Sequence, residues 1–306
     1  MRTMRTSVVA LVLFLGLFGR AHAVPLSGTG FADFTVGASV NGQDGWSVFI
    51  PGNCGVYDES VVDFNGNKVW RVSNAVTCGT FGDQPFAPRP GGIPTDSVND
   101  PVNSDPLFFA GETSTGAAFN RFFGQFSFRS ATGVPQPGLR ITVSIDSGEG
   151  GRQSFIALRD SGSGIAIDTF DVDRNGGFIG PITIASGLSY TRWHTVRMQA
   201  HFKNGSNNDT VEYRVNGKLV HTGQSWEQFY RNFQAALHPK GVPVQTLLFR
   251  LSETAAPAVA GGGFYIDNVF TRNSNSDRDD DDRDDDDRDD DDRDDDDRDD
   301  DDRDDD

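Results

Sequence analysis

Two arginines, a glutamine, a histidine and a glutamate fall on one face of a single hairpin expected from the sequence. Its strands are His194–Phe202 (HTVRMQAHF) and Thr210–Asn216 (TVEYRVN). Val196, Met198, Ala200 and Phe202 alternate with Thr195, Arg197, Gln199 and His201. Val211, Tyr213 and Val215 alternate with Glu212, Arg214 and Asn216. Neighbouring residues of a strand point to opposite sides, and a one-residue slip flips every side chain. Matching apolar with apolar puts Phe202 opposite Val211, hence His201 opposite Glu212 and Gln199 opposite Arg214. If this face lines a concave sheet, a His with a Glu can act as acid and base, and Arg197, Gln199 and Arg214 can grip a sugar. If the face is an outer one, the same residues form a solvated ladder of cross-strand pairs. Both readings stand at this stage, and no residue is assigned a catalytic role.

Three further patterns bear on chemistry. Asp171-Val-Asp173-Arg-Asn175-Gly176 matches the first half of a calcium loop, with oxygen ligands at alternate positions and Gly at the sharp turn. Ile182 stands where the bidentate Glu is expected, and a hairpin turn explains the same residues equally well. Ca2+ is therefore the one cofactor to test. Trp46, Trp70, Trp193, Trp226, Tyr57 and Tyr230 are core residues of a sandwich or include a stacking platform for a sugar ring, and Trp46, in the Gly-rich stretch NGQDGWS, is the favoured candidate for the platform. Cys54 and Cys78, the only two cysteines, flank a hairpin-like segment and form one expected disulfide if the chain is exported.

The elements that position these groups read as short strands. Lys68–Val72, Phe119–Phe128, Leu139–Ile145, Gln153–Leu158, Gly164–Phe170, Val244–Leu251 and Phe264–Thr271 join the hairpin, separated by Gly, Asn and Asp. That is the signature of an all-β sandwich or barrel. One helix is expected, with Ser225 and Gln228 as a capping box and Trp226, Phe229, Tyr230 and Phe233 sharing a face. Proline crowds residues 86–106, which read as a long surface loop.

The ends of the chain differ from its middle. Residues 1–23 read as a secretory signal peptide: Arg2 and Arg5, the apolar run Ser7–Phe18, then Ala21-His22-Ala23. Residues 273–306 form an Asp/Arg tail, and 277–306 alone hold 24 Asp and 6 Arg, the whole of the formal −18. With nothing apolar to bury, this tail is expected to be disordered. It reads as a repeat-expanded solvated tail, with binding of divalent cations or basic surfaces as the alternative. The remainder of the chain is neutral, which argues against a nucleic-acid binder. No stretch after the signal is long and apolar enough to span a membrane.

Arg192–Thr222 (RWHTVRMQAHFKNGSNNDTVEYRVNGKLVHT) resembles the hairpin of concanavalin A-like and laminin G-like jelly rolls, and Gly263–Val269 (GFYIDNV) resembles the last strand of many secreted sandwich modules. Asn74–Phe86 and Ser225–Arg231 are similar to segments of exported microbial proteins. The resemblance implies a two-sheet jelly-roll sandwich over 24–272, in a superfamily of lectins, carbohydrate-binding modules, glycoside hydrolases and polysaccharide lyases. It does not fix an activity. The E-x-D-x-x-E strand of its glycosidases is absent, and there is no close match to the Arg, Gln, His and Tyr motifs of its alginate lyases. The expectation is a secreted or cell-surface protein that binds extracellular polysaccharide. A polysaccharide-cleaving enzyme and an adhesive protein acting through its tail are the alternatives.

Overall fold

A computed structural model describes residues 27–49, 55–77, 84–86, 121–146, 151–203, 206–236, 242, 244, 246–251 and 254–274. The signal peptide, both cysteines of the expected disulfide, the proline-rich stretch beyond Phe86 and the acidic tail lie outside the described residues. The chain divides into the units Met1–Ser274 and Asn275–Asp306.

The strands are β1 (Ser27–Thr29), β2 (Ser47–Phe49), β3 (Glu59–Phe64), β4 (Asn67–Val72), β5 (Gln84–Phe86), β6 (Arg121–Ser130), β7 (Arg140–Asp146) and β8 (Arg152–Asp160). They continue with β9 (Ile165–Val172), β10 (Phe178–Leu188), β11 (His194–His201), β12 (Thr210–Val215), β13 (Lys218–Gln224), β14 (Thr246–Leu251) and β15 (Phe264–Ser274). Eight strands form one antiparallel sheet in the order β13-β12-β11-β6-β15-β4-β3, with β1 also on β15. Seven form the other, β10-β9-β8-β7-β14-β5-β2. This is the two-sheet jelly-roll sandwich that the resemblance to concanavalin A-like proteins implies. Among the described residues, no helix is long and apolar enough to cross a membrane.

Alternation builds the core. Phe122, Phe126 and Phe128 of β6, Val196, Met198 and Ala200 of β11, and Val211 and Tyr213 of β12 are all fully buried. So are Ile141, Val143 and Ile145 of β7 and Leu247 and Phe249 of β14 in the second sheet. Gly124 interrupts the Phe series of β6 because a Cβ there would lie 2.6 Å from the Leu247 side chain. Pro181 lies in β10, an edge strand, where a missing N–H is tolerated.

Two local expectations are corrected. The β11–β12 register pairs Ala200 with Val211, Gln199 with Glu212, Arg197 with Arg214 and His201 with Thr210. This is two residues away from the expected alignment, so His201 does not face Glu212 and Gln199 does not face Arg214. A two-residue shift keeps apolar against apolar, so alternation alone could not choose between the registers. The helix is a single turn, α1 (Glu227–Phe229), that continues as a π-helical turn over Tyr230–Gln234. Its Ser225 hydroxyl accepts from the N–H of Glu227, but the Gln228 amide donates forward to Asn232 at 3.0 Å, so no capping box forms. Trp226 and Tyr230 are buried while Phe233 is 63% exposed. The wider π winding takes Phe233 off the face that an α-helix would have given it.

Candidate functional site

The hairpin residues come together on the outer face of the eight-stranded sheet. Arg197, Gln199, His201, Glu212 and Arg214 are each half-buried there, with their apolar neighbours in the core. Strand β11 pairs β6 on its other side, placing Gln125 beside Arg197, Phe123 beside Gln199 and Arg121 beside His201. Beyond β6, Arg272 of β15 stands beside Phe123, and Phe270 beside Gln125. Four strands thus contribute to one surface.

Its centre is an aromatic ring bracketed by cations. The Arg197 guanidinium lies 4.4 Å from the Phe123 ring centre and that of Arg272 5.8 Å, with Phe270 edge-on at 5.3 Å. Arg197 and Arg214 are direct cross-strand partners, two like charges side by side. Glu212 reaches Arg214 at 3.7 Å along its own strand. Arg129 repeats the theme further along β6, 4.7 Å over the ring of Phe64, which also meets Tyr265 and Trp193. Phe123 and Arg129 are six residues apart on the same face, about 20 Å along the strand.

The candidate calcium loop resolves into two separate interactions. The Asp171 carboxylate meets His221 Nε2 at 3.0 Å, tying β9 of one sheet to β13 of the other. Gly223 permits this approach, since a Cβ there would collide with Asp171 Oδ1. Asp173 Oδ1 instead accepts the backbone N–H groups of Asn175 and Gly177, both at 2.8 Å, closing the β9–β10 turn. Asn175 is exposed on that turn. The structure does not bring Asp171, Asp173 and Asn175 to one centre. Among the described residues, no group of three or more His, Cys, Asp or Glu side chains is arranged to hold a metal ion.

Trp46 is a correction. It is 2% exposed and packed among Phe31, Trp70 and Phe249, with ring centres 5.2–6.0 Å away, so no face is left for a sugar. Trp70, Tyr57, Tyr230 and Trp226 are buried too, and only Trp193 of the six aromatics is half-exposed. Burial raises the phenol of Tyr230 far above its ordinary value and pushes that of Tyr213 up to about 12. Tyr230 donates to the carbonyl of Arg152 at 2.8 Å, and Tyr213 holds Thr169 at 3.1 Å, so both are fastening groups of the core.

The outward-facing rings that sequence reasoning missed are phenylalanines, half-buried at Phe123 and exposed at Phe178 and Phe233. Phe123 was legible in the alternation of β6, where Arg121, Phe123, Gln125, Ser127 and Arg129 interleave with Phe122, Gly124, Phe126 and Phe128. Phe178 (46% exposed) and Phe233 (63% exposed) form a second ledge. Phe178 packs on Trp226 and Phe229 at 4.6 and 4.8 Å, and Phe233 on Phe229 at 5.8 Å. Next to them is a cavity of about 320 Å³, lined by Val172, Asp173, Arg174, Asn207, Gln224, Ser225, Glu227 and Gln228.

No family model and no curated protein matches the chain. Solved structures similar to it include the cellulose-induced protein Cip1, at 14% identity and TM-score 0.42, covering 80% of this chain and 96% of that one. An alginate lyase from Pseudomonas aeruginosa is similar at 12% identity and TM-score 0.40, over 70% of this chain and 86% of its own. Sheep galectin-11 is similar at 12% identity and TM-score 0.27, over 50% and 90%. These likenesses concern architecture and assign no activity to this chain.

Proposed function

We propose that the outer face of the eight-stranded sheet binds an extracellular polysaccharide bearing carboxylate or sulfate groups. The carrying observation is the arginine arrangement: Arg197 opposite Arg214, with Arg197 and Arg272 bracketing Phe123. Like charges placed directly opposite one another oppose folding. A polyanion laid along them converts that repulsion into attraction. Guanidinium forks suit carboxylate and sulfate oxygens. The phenyl ring offers apolar surface to sugar C–H groups, and Gln125 and Gln199 supply amides for hydroxyls. Two arginine-on-phenylalanine stacks about 20 Å apart suit a polymer better than a single sugar. The signal peptide expected at 1–23 would carry this surface out of the cell.

Affinity electrophoresis against alginate, pectate and chondroitin sulfate, with xylan and laminarin as neutral controls, tests the reading. At least one anionic polymer should retard the protein, with the effect screened by salt and weakened about tenfold by Arg197→Ala. If none retards it, or if the Arg197→Ala and Phe123→Ala proteins behave as wild type, the reading is wrong.

A further inference from the structure

The geometry points to a second binding site, for a neutral saccharide, formed by the cavity at the β9–β10 turn and the exposed rings of Phe178 and Phe233 beside it. The site shares no residue with the arginine face and does not rest on the reading of that face.

The cavity is assembled from the end of β9, Asn207 between β11 and β12, the end of β13 and the first helical turn. Gly176 fixes how the turn meets the helix. Its φ is +81°, and a Cβ there would sit 2.7 Å from the carbonyl oxygen of Gln228 and 3.0 Å from the Phe233 ring. Cavity wall and aromatic ledge are therefore parts of one packed unit. At about 320 Å³, the cavity is at the small end of ligand-sized pockets.

Its chemistry is that of a neutral polyhydroxylated ligand. Asn207 and Gln224 present uncharged donors and acceptors, while the Ser225 hydroxyl is committed to Asp209 and to the Glu227 N–H, and the Gln228 amide N–H to Asn232. The Glu227 carboxylate is neutralised by Arg231, whose Nε lies 2.5 Å from its Oε1. Asp173 and Arg174 are opposite in sign. Gln228 Oε1 is buried without a hydrogen-bond partner, an acceptor that a ligand hydroxyl would satisfy. The ledge supplies the apolar half of sugar recognition: Phe178 and Phe233 are held by Trp226 and Phe229, so little order is lost when a ring covers them. Two partly exposed phenyl rings offer on the order of 200 Å², well below the roughly 800 Å² per partner of a stable protein interface. A small ligand suits this patch better than a second copy of the chain.

Calorimetry of the full-length protein with cellohexaose, xylohexaose, mannohexaose and laminarihexaose tests the proposal. At least one should bind at millimolar concentration or below, with little dependence on salt. Phe233→Ala and Gln228→Ala should each weaken it about tenfold. Phe233 is exposed, so its loss does not threaten folding. Phe123→Ala should leave this binding intact while abolishing binding of the anionic polymers, which separates failure of this site from failure of the arginine face. Absence of binding to all four oligosaccharides would overturn the proposal, as would equal binding by the Phe233→Ala protein. Self-association of the wild type that Phe233→Ala abolishes would overturn it too, in favour of a second copy.

Discussion

The arginine–aromatic face and the turn cavity are built on opposite plans. The face repeats along regular strands, sets Arg197 opposite Arg214 and extends about 20 Å from Phe123 to Arg129. The cavity is lined by pieces of four segments, its Glu227 carboxylate is paired within the fold, and its volume is near 320 Å³. Long-range attraction and a tolerant, extended surface come from the first plan. Short-range fit and hydrogen-bond matching come from the second. If both regions bind saccharide, they should differ in salt response, in ligand length and in sensitivity to single substitutions.

The largest expected effect comes from the buried ion pair that holds Glu227 of the cavity lining. Arg231 and Glu227 have 4% and 2% exposed side chains. Arg231→Met leaves the Glu227 carboxylate without its guanidinium, which costs about 3–5 kcal/mol. Denaturant titration should show that loss, and neutral oligosaccharide binding should fall with it. Anionic polymer binding by the folded fraction should persist. If it declines in parallel, the two regions are not independent and the comparison fails.

The next effect is electrostatic. Polymer binding at the face should weaken about tenfold or more as salt rises toward molar concentration, where charges beyond a few ångströms are screened. Deletion of 277–306 removes the entire formal −18 and should strengthen polymer binding at low salt, converging with wild type at high salt. Oligosaccharide binding should respond to neither change. A tail-deleted protein with unchanged low-salt affinity for every anionic polymer would count against a charge-driven face.

This contrast also explains what was legible in the residues themselves. Period-two alternation in β11, β12 and β6 announces which side chains share a face, and the parity assigned to Arg197, Gln199, His201, Glu212 and Arg214 holds in the fold. Register is a second question that alternation leaves degenerate, and there the expected His201–Glu212 couple gave way to an Arg197–Arg214 pair. Trp46 looked exposed because glycines surround it. Its burial depends on Phe249, about 200 residues away in the chain, which no local pattern reveals. The cavity was invisible for the same reason: Asp173, Asn207 and Gln228 meet only because Gly176 lets the turn close onto the helix.

A smaller effect supplies a control from the second sheet. Arg159 also points outward from a strand, but it is committed to Asp168, with Nε 2.5 Å from Oδ2, and Thr183 donates to the same carboxylate. Burial alone would raise the Asp168 carboxyl. The hydrogen bonds from Arg159 and Thr183, helped by the charges of Arg159 and Arg140, hold it below its ordinary value. A carboxyl depressed on folding stabilises above its unfolded value near pH 4, and that contribution is lost as pH falls through the folded value. Arg159→Ala should therefore cost about 1 kcal/mol at neutral pH, with the gap to wild type narrowing below about pH 4. Its polymer binding should be unchanged. Loss of binding would mean that the second sheet contributes to the surface.

The smallest effect is also the most discriminating, because it should have opposite signs in two assays. Arg214 faces Arg197 directly, while its own carboxylate neighbour, Glu212, is 3.7 Å away and both side chains are more than a quarter exposed. An exposed ion pair of that length contributes little, whereas like charges directly opposite in a ladder destabilise by a few tenths of a kcal/mol. Arg214→Gln should leave thermal stability unchanged or raise it slightly, and should weaken anionic polymer binding severalfold. A structural role for Arg214 predicts loss of stability with no change in binding. A role as one tooth of a polyanion-binding row predicts the reverse, and the two measurements on one variant decide between them.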